Sequence, residues 1–76
     1  MEVRLKNVMS RVIRIPVETI DETTSNTTVE KWDSLAQMTL VLALEDEFDV
    51  EFEVAEIQAL GSYVLLRDAL IRLGAE

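Results

Sequence analysis

The chain has 76 residues, with 15 Asp plus Glu against 7 Lys plus Arg for a formal charge of −8, and it contains neither histidine nor cysteine. That length makes residues 1–76 a single domain, with a total stability of roughly 4 to 11 kcal/mol at the usual figure per residue. The missing residue types exclude a Ser-His-Asp triad, a cysteine nucleophile, a zinc site of the usual ligands and a disulfide framework, so the chain is not expected to be an enzyme.

Leu5, Val8, Met9, Val12 and Ile13 recur at i, i+3, i+4, i+7 and i+8, one apolar stripe of a first helix. Pro16 stops it, because Ile15 ahead of a proline is pushed toward extended geometry. Residues 15–33 read as a long loop whose Ser25-Asn26-Thr27-Thr28 centre is turn chemistry, with Val17, Ile20 and Val29 available to pin it to the core. An antiparallel helix pair would not need such a span, so the loop is expected to cross the length of the molecule. The second helix begins at Asp33 or Ser34, either of which can cap it, and runs to about Phe48 with an acidic end from Glu45 to Asp49. A short third helix lies between Phe52 and Leu60, where Val54, Ile57 and Leu60 recur at helical spacing and Gly61 offers a left-handed stop. Ser62 caps a last helix with Tyr63, Leu66, Leu70 and Leu73 on one stripe and Gly74 at its end. The alternation of apolar and acidic residues from Val50 to Val54 would suit a strand, but one strand has nothing to pair with. The expected fold class is all-α, a small four-helix bundle with a long loop between helices 1 and 2 and a short third helix.

Between Trp32 and Leu66 there is no Lys or Arg, while eight acids fall there: Asp33, Glu45, Asp46, Glu47, Asp49, Glu51, Glu53 and Glu56. The whole excess of negative charge therefore belongs to the middle of the chain. Its plain reading is a solvated face that keeps the protein soluble. Such a charge opposes binding to nucleic acid or to an anionic membrane and favours partners with basic surfaces. The first residues lack the apolar core of a secretion signal, and no run approaches the roughly 18 apolar residues of a membrane span, so the expected location is cytoplasmic, without membrane insertion, as a monomer.

With Leu35 at zero and 100° per residue, Leu40, Val41, Leu44 and Phe48 fall between about 140° and about 240°, the core face of the second helix. Leu42, Leu35 and Met38 fall near about 340°, 0° and 300° on the other side, beside Thr39 and Asp46. Three exposed apolar side chains edged by the acids Glu45 and Asp46 make a candidate partner-binding patch, unless the third helix or the loop covers it. Ser34 stands at the head of this helix beside the patch.

The residues Glu30-Lys31-Trp32-Asp33-Ser34-Leu35, followed from Leu40 to Val50 by LVLALEDEFDV, resemble an acyl carrier protein. The mark of that family is Asp-Ser-Leu at the start of the second helix with an acidic helix after it, here Asp33, Ser34 and Leu35. The long loop, the short third helix and the length agree, so the resemblance covers essentially the whole chain. It implies that Ser34 carries 4′-phosphopantetheine, added to its hydroxyl as a phosphodiester by a phosphopantetheinyl transferase. It further implies acyl chains held as thioesters on that arm and passed among loading and transferring enzymes with basic surfaces. A cofactor thiol explains how a chain without cysteine takes part in acyl chemistry. Fatty-acid carriers usually have small residues before Asp-Ser-Leu and an acid five positions after the serine, where this chain has Trp32 and Thr39. Peptide-synthesis carriers usually have Gly where this chain has Asp33. The Trp-Asp-Ser-Leu form is closer to stand-alone carriers of specialised polyketide, modified-lipid or saccharide-acylating pathways.

Two other readings of the acids compete. Asp49, Glu51 and Glu53 alternate as in the first half of an EF-hand loop, but Val54 stands where the glycine is needed and Leu60 where the bidentate Glu belongs. Alternatively, the chain is an unmodified acidic helical module that binds a basic protein surface and leaves Ser34 bare.

Overall fold

The apolar stripe of the first helix is realised as expected. In the computed structural model, which describes residues 1–75, α1 (Glu2–Ile13) buries Leu5, Val8, Met9 and Ile13, and Val12 is half-buried. It ends one turn position earlier than the proline requires, at Arg14, which takes left-handed geometry with φ 56°. Ser10 Oγ then donates to the Ile15 carbonyl at 2.6 Å, so a side chain satisfies a carbonyl that the helix no longer reaches.

The loop over residues 15–33 holds one 3₁₀ turn, Val17–Thr19. Of its three expected anchors, Ile20 is buried and Val29 half-buried, whereas Val17 points to solvent. Its path corrects the expectation about helix direction. Arg4, in the first turn of α1, pairs with Glu47 near the end of the second helix, with Nε 2.8 Å from Oε2. At the other end Lys31 Nζ donates to the Arg14 carbonyl at 3.3 Å, just ahead of the second helix. The two helices are therefore antiparallel, and the loop starts and finishes at the same end of α1. Its length goes into an excursion. Asp21 and Glu22 reach a polar cleft shared with Glu2, Lys6, Tyr63 and Arg67. The chain then pairs with the approach to the last helix, Asn26 N–H to the Gly61 carbonyl at 2.8 Å and Tyr63 N–H to the Thr24 carbonyl at 3.0 Å, before returning.

α2 (Ser34–Phe48) ends where the sequence places it, with Asp49 in left-handed geometry. α3 is shorter than the Phe52-to-Leu60 segment, only Val54–Ile57. Of the three residues at helical spacing, Leu60 is buried and Ile57 half-buried against the core, whereas Val54 is 86% exposed. The buried residues are its flanks, Phe52 and Leu60, and none lies within the helix itself. A single turn makes too few hydrogen bonds to stand alone. Its support comes from reciprocal capping by Glu53 and Glu56 and from an ion pair between Glu56 and Arg72.

Gly61 does not adopt the left-handed stop expected of it. Its lack of a side chain serves a close approach instead, since a Cβ there would lie 2.6 Å from Asn26 Nδ2. α4 (Tyr63–Arg72) matches expectation: Ser62 Oγ accepts from Leu65 N–H at 3.1 Å, Tyr63, Leu66 and Leu70 are buried, and Gly74 at φ 81° follows its end. From Val50 to Val54 there is no strand. Among the described residues the only β-type pairing is an isolated bridge between Ser25 and Ser62. The core gathers the inner faces of α1, α2 and α4 with Ile20 and Trp32 of the loop and Phe52 and Leu60 around α3.

Candidate functional site

The head of α2 separates two roles that the sequence leaves open between neighbours. Asp33, with extended backbone, is the cap: its Oδ1 accepts the Ala36 N–H at 2.8 Å, and its carbonyl accepts the Gln37 N–H at 2.9 Å. Ser34 is thus the first helical residue, exposed, with its hydroxyl not spent on capping. The chain has four serines, and the other three are engaged. Ser10 Oγ bonds the Ile15 carbonyl, Ser25 Oγ lies 2.8 Å from Thr27 Oγ1, and Ser62 Oγ caps α4. Among the described residues no protein acceptor takes the Ser34 and Leu35 amides, which point out at the positive end of the helix dipole. A phosphate ester on Ser34 Oγ would meet free donors and a favourable potential there, so the residues present fit such a group.

Below Ser34 the two faces of α2 are as the helical wheel predicts. Leu40, Val41, Leu44 and Phe48 are buried, while Leu35 is 77%, Met38 39% and Leu42 59% exposed. Neither α3 nor the loop covers the second set. Asp46 continues the same stripe, exposed and without an ion pair among the described residues.

Glu45, which sequence reasoning grouped with Asp46, plays a different part. It is half-buried, and its Oε2 accepts the Phe52 N–H at 2.8 Å, tying the α2 to α3 connection back onto α2. Two more of the eight central acids gain cations from distant parts of the chain, Glu47 from Arg4 and Glu56 from Arg72. Asp33, Glu45 and Glu53 accept backbone N–H bonds, which leaves Asp46, Asp49 and Glu51 with neither an ion pair nor a side-chain hydrogen bond among the described residues.

Two residues beside Ser34 were not singled out from the sequence as parts of a site. Trp32 is 3% exposed and Gln37 4%. The indole Nε1–H donates to Gln37 Oε1 at 2.6 Å, and Gln37 Nε2 donates to the Ile57 carbonyl at 2.7 Å and the Leu60 carbonyl at 3.0 Å. The available signal was polar residue Gln37 at about 200° on the wheel, in the middle of the core face. A buried amide there needs partners, and a nearby Trp is a donor in want of an acceptor.

An accessible hydroxyl beside an uncovered apolar surface, on a small helical scaffold, is what a protein that presents a group to others has to offer. The description of the phosphopantetheine attachment site family matches residues 3–70, from α1 into α4. The chain belongs to that family and is a carrier protein, of the class that bears covalently attached 4′-phosphopantetheine. Carrier domains are not themselves catalytic; they interact with phosphopantetheinyl transferase and with biosynthetic enzymes. A comparison with curated proteins gave no match. No helix of the described residues is long and apolar enough to cross a membrane.

Proposed function

We propose that Ser34 is the attachment residue and that the protein holds acyl intermediates as thioesters on its arm, for partner enzymes of fatty-acid, polyketide or related specialised biosynthesis. The observation that carries this reading is the division of labour at the head of α2, where Asp33 does the capping and the exposed Ser34 hydroxyl is the one serine hydroxyl not otherwise bonded among the described residues. When attached, the cofactor supplies the thiol that the chain lacks. Ser34 Oγ anchors the phosphate, the free amides of the first turn orient it, and Leu35 stands beside it as the first contact for an approaching enzyme. Leu35, Met38 and Leu42 form the close contact with partners, and Asp46 draws in their basic surfaces. Trp32 and Thr39, in place of a small residue and an acid, favour a specialised pathway over fatty-acid synthesis.

The test is intact mass after co-expression with a phosphopantetheinyl transferase, followed by peptide mapping. The arm is expected on Ser34. An arm on Ser10, Ser25 or Ser62 would overturn the residue assignment, and no arm on any serine would favour the unmodified acidic module.

A further inference from the structure

Gln37 is buried with every hydrogen-bonding atom of its amide engaged: one carbonyl oxygen accepting from Trp32, one NH₂ group donating to Ile57 and Leu60. The chemistry fixes which way the amide points, because the indole can only donate and the two backbone carbonyls can only accept. At one end of this relay is Trp32, two residues before Ser34. At the other is α3, whose last carbonyls a helix of four residues, Val54–Ile57, cannot satisfy by itself. Besides its capping box, the Arg72 pair and the packing of half-buried Ile57 on the core, α3 is tied to α2 by the bonds from Gln37 to the Ile57 carbonyl and to the Leu60 carbonyl just beyond it.

We propose that the Trp32 and Gln37 side chains form a latch coupling α3 to the serine-bearing turn, with Gln37 a positioning residue for the chemistry at Ser34. This rests on the assignment of Ser34 given above. The turn between the loop and α2 carries Asp33 and Ser34 on a backbone whose preceding residue is clamped from inside the core. Anything that shifts α3, a partner pressing on exposed Val54 for instance, pulls on the Ile57 and Leu60 carbonyls. That pull is transmitted through one rigid amide to the indole. Conversely, a change at the serine turn that moves Trp32 releases α3. The coupling is reciprocal because the same three hydrogen bonds carry it in both directions.

Trp32 is the only tryptophan in the chain, so its emission reads the latch directly. Two variants approach it from opposite ends. Gln37→Met keeps the volume and removes all three bonds. Glu56→Gly leaves the latch residues intact but removes a capping contact, the Arg72 pair and helix propensity from α3. In Gln37→Met, faster hydrogen exchange is expected at both Ala36 N–H, which bonds the Asp33 cap, and Ala59 and Leu60 N–H beyond α3. In Glu56→Gly, the Ala59 and Leu60 amides should loosen and the Trp32 emission should shift with them. Loosening of one segment alone, in either variant, overturns the latch. The positioning role is read in modification kinetics: with the outward face of α2 unchanged, Gln37→Met should lower kcat of the transferase about tenfold or more at constant KM. A change confined to KM, or none, overturns that role. These readings stay distinct from the attachment assignment, because fluorescence and exchange report on the latch whether or not mass mapping finds the arm on Ser34.

Discussion

Leu42 and Leu44 stand two positions apart on α2 and should respond in opposite ways to replacement by alanine. Leu44 is fully buried, so removing its side chain loses transfer free energy and leaves a cavity, about 2 to 5 kcal/mol in all. Leu42 is 59% exposed, so only about two-fifths of it is covered. Full burial of a leucine is worth about 1.5 to 3 kcal/mol, and the site is open to water, so no closed cavity forms and the loss should stay below about 1 kcal/mol. In a domain of this size about 1 kcal/mol moves the thermal midpoint by roughly 4 to 8 °C. Leu42→Ala should therefore shift the midpoint by no more than that, whereas Leu44→Ala removes a large part of the roughly 4 to 11 kcal/mol available to the whole chain. Urea and thermal unfolding give the stabilities. Surface plasmon resonance against a phosphopantetheinyl transferase gives the binding rates, where Leu42→Ala should raise the dissociation rate. Equal stability losses for the two variants would refute the outward patch. Unchanged stability together with an unchanged dissociation rate would refute its role in binding.

Ser34→Ala should abolish attachment of the arm, by intact mass, while changing stability by less than about 0.5 kcal/mol, whereas Asp33→Ala, which removes the cap, should cost about 0.5 to 2 kcal/mol. Asp46→Lys should lower the association rate with a basic partner and weaken its salt dependence without loss of stability; Glu45→Lys should also lower the unfolding midpoint, since Phe52 N–H loses its acceptor. Raising the salt from about 0.01 M to about 0.1 M, which shortens the Debye length from about 30 Å to about 10 Å, should raise the midpoint through Asp46, Asp49 and Glu51, and a flat response would mean that the pairs at Glu47 and Glu56 already suffice. The Tyr63 phenol is pushed from 10.0 up to about 12 by burial and by donating its hydrogen bond to Glu2. A raised folded pKa stabilises fully below the unfolded value and is lost as the pH climbs through the folded one, so stability should fall between about pH 10 and about 12, and less so in Tyr63→Phe.

The helices were legible because their evidence is local. The spacing in α1 and α4, the cap at Ser62, the end of α2 and its two apolar faces each depend on residues within a turn or two of one another, and backbone geometry translates such spacing into faces without reference to the rest of the chain. The same logic identified Ser34 as a candidate, through a tripeptide at a helix start. It failed where a short segment had to be placed by its neighbours. Val54 has the spacing of a core residue and is exposed, because a one-turn helix takes its orientation from what it packs on rather than from its own pattern. Gly61 has the composition of a helix stop, yet its hydrogen-only side chain makes room for Asn26, a contact across 35 positions of sequence.

Composition excluded a Ser-His-Asp triad and a cysteine nucleophile, and periodicity determined an all-α chain whose second helix is apolar on two sides. The tertiary structure alone decided which acids are paired, since Arg4 meets Glu47 and Arg72 meets Glu56 only once antiparallel helices and a returning chain bring them together. It also decided that α1 and α2 run in opposite directions, that Glu45 holds a connection while Asp46 stays free of ion pairs among the described residues, and that Trp32 and Gln37 meet inside the core. The physical reason is range: a side chain's intrinsic preference is set by its nearest neighbours, whereas an ion pair or a buried hydrogen bond needs two partners whose approach is fixed by the packing of everything between them.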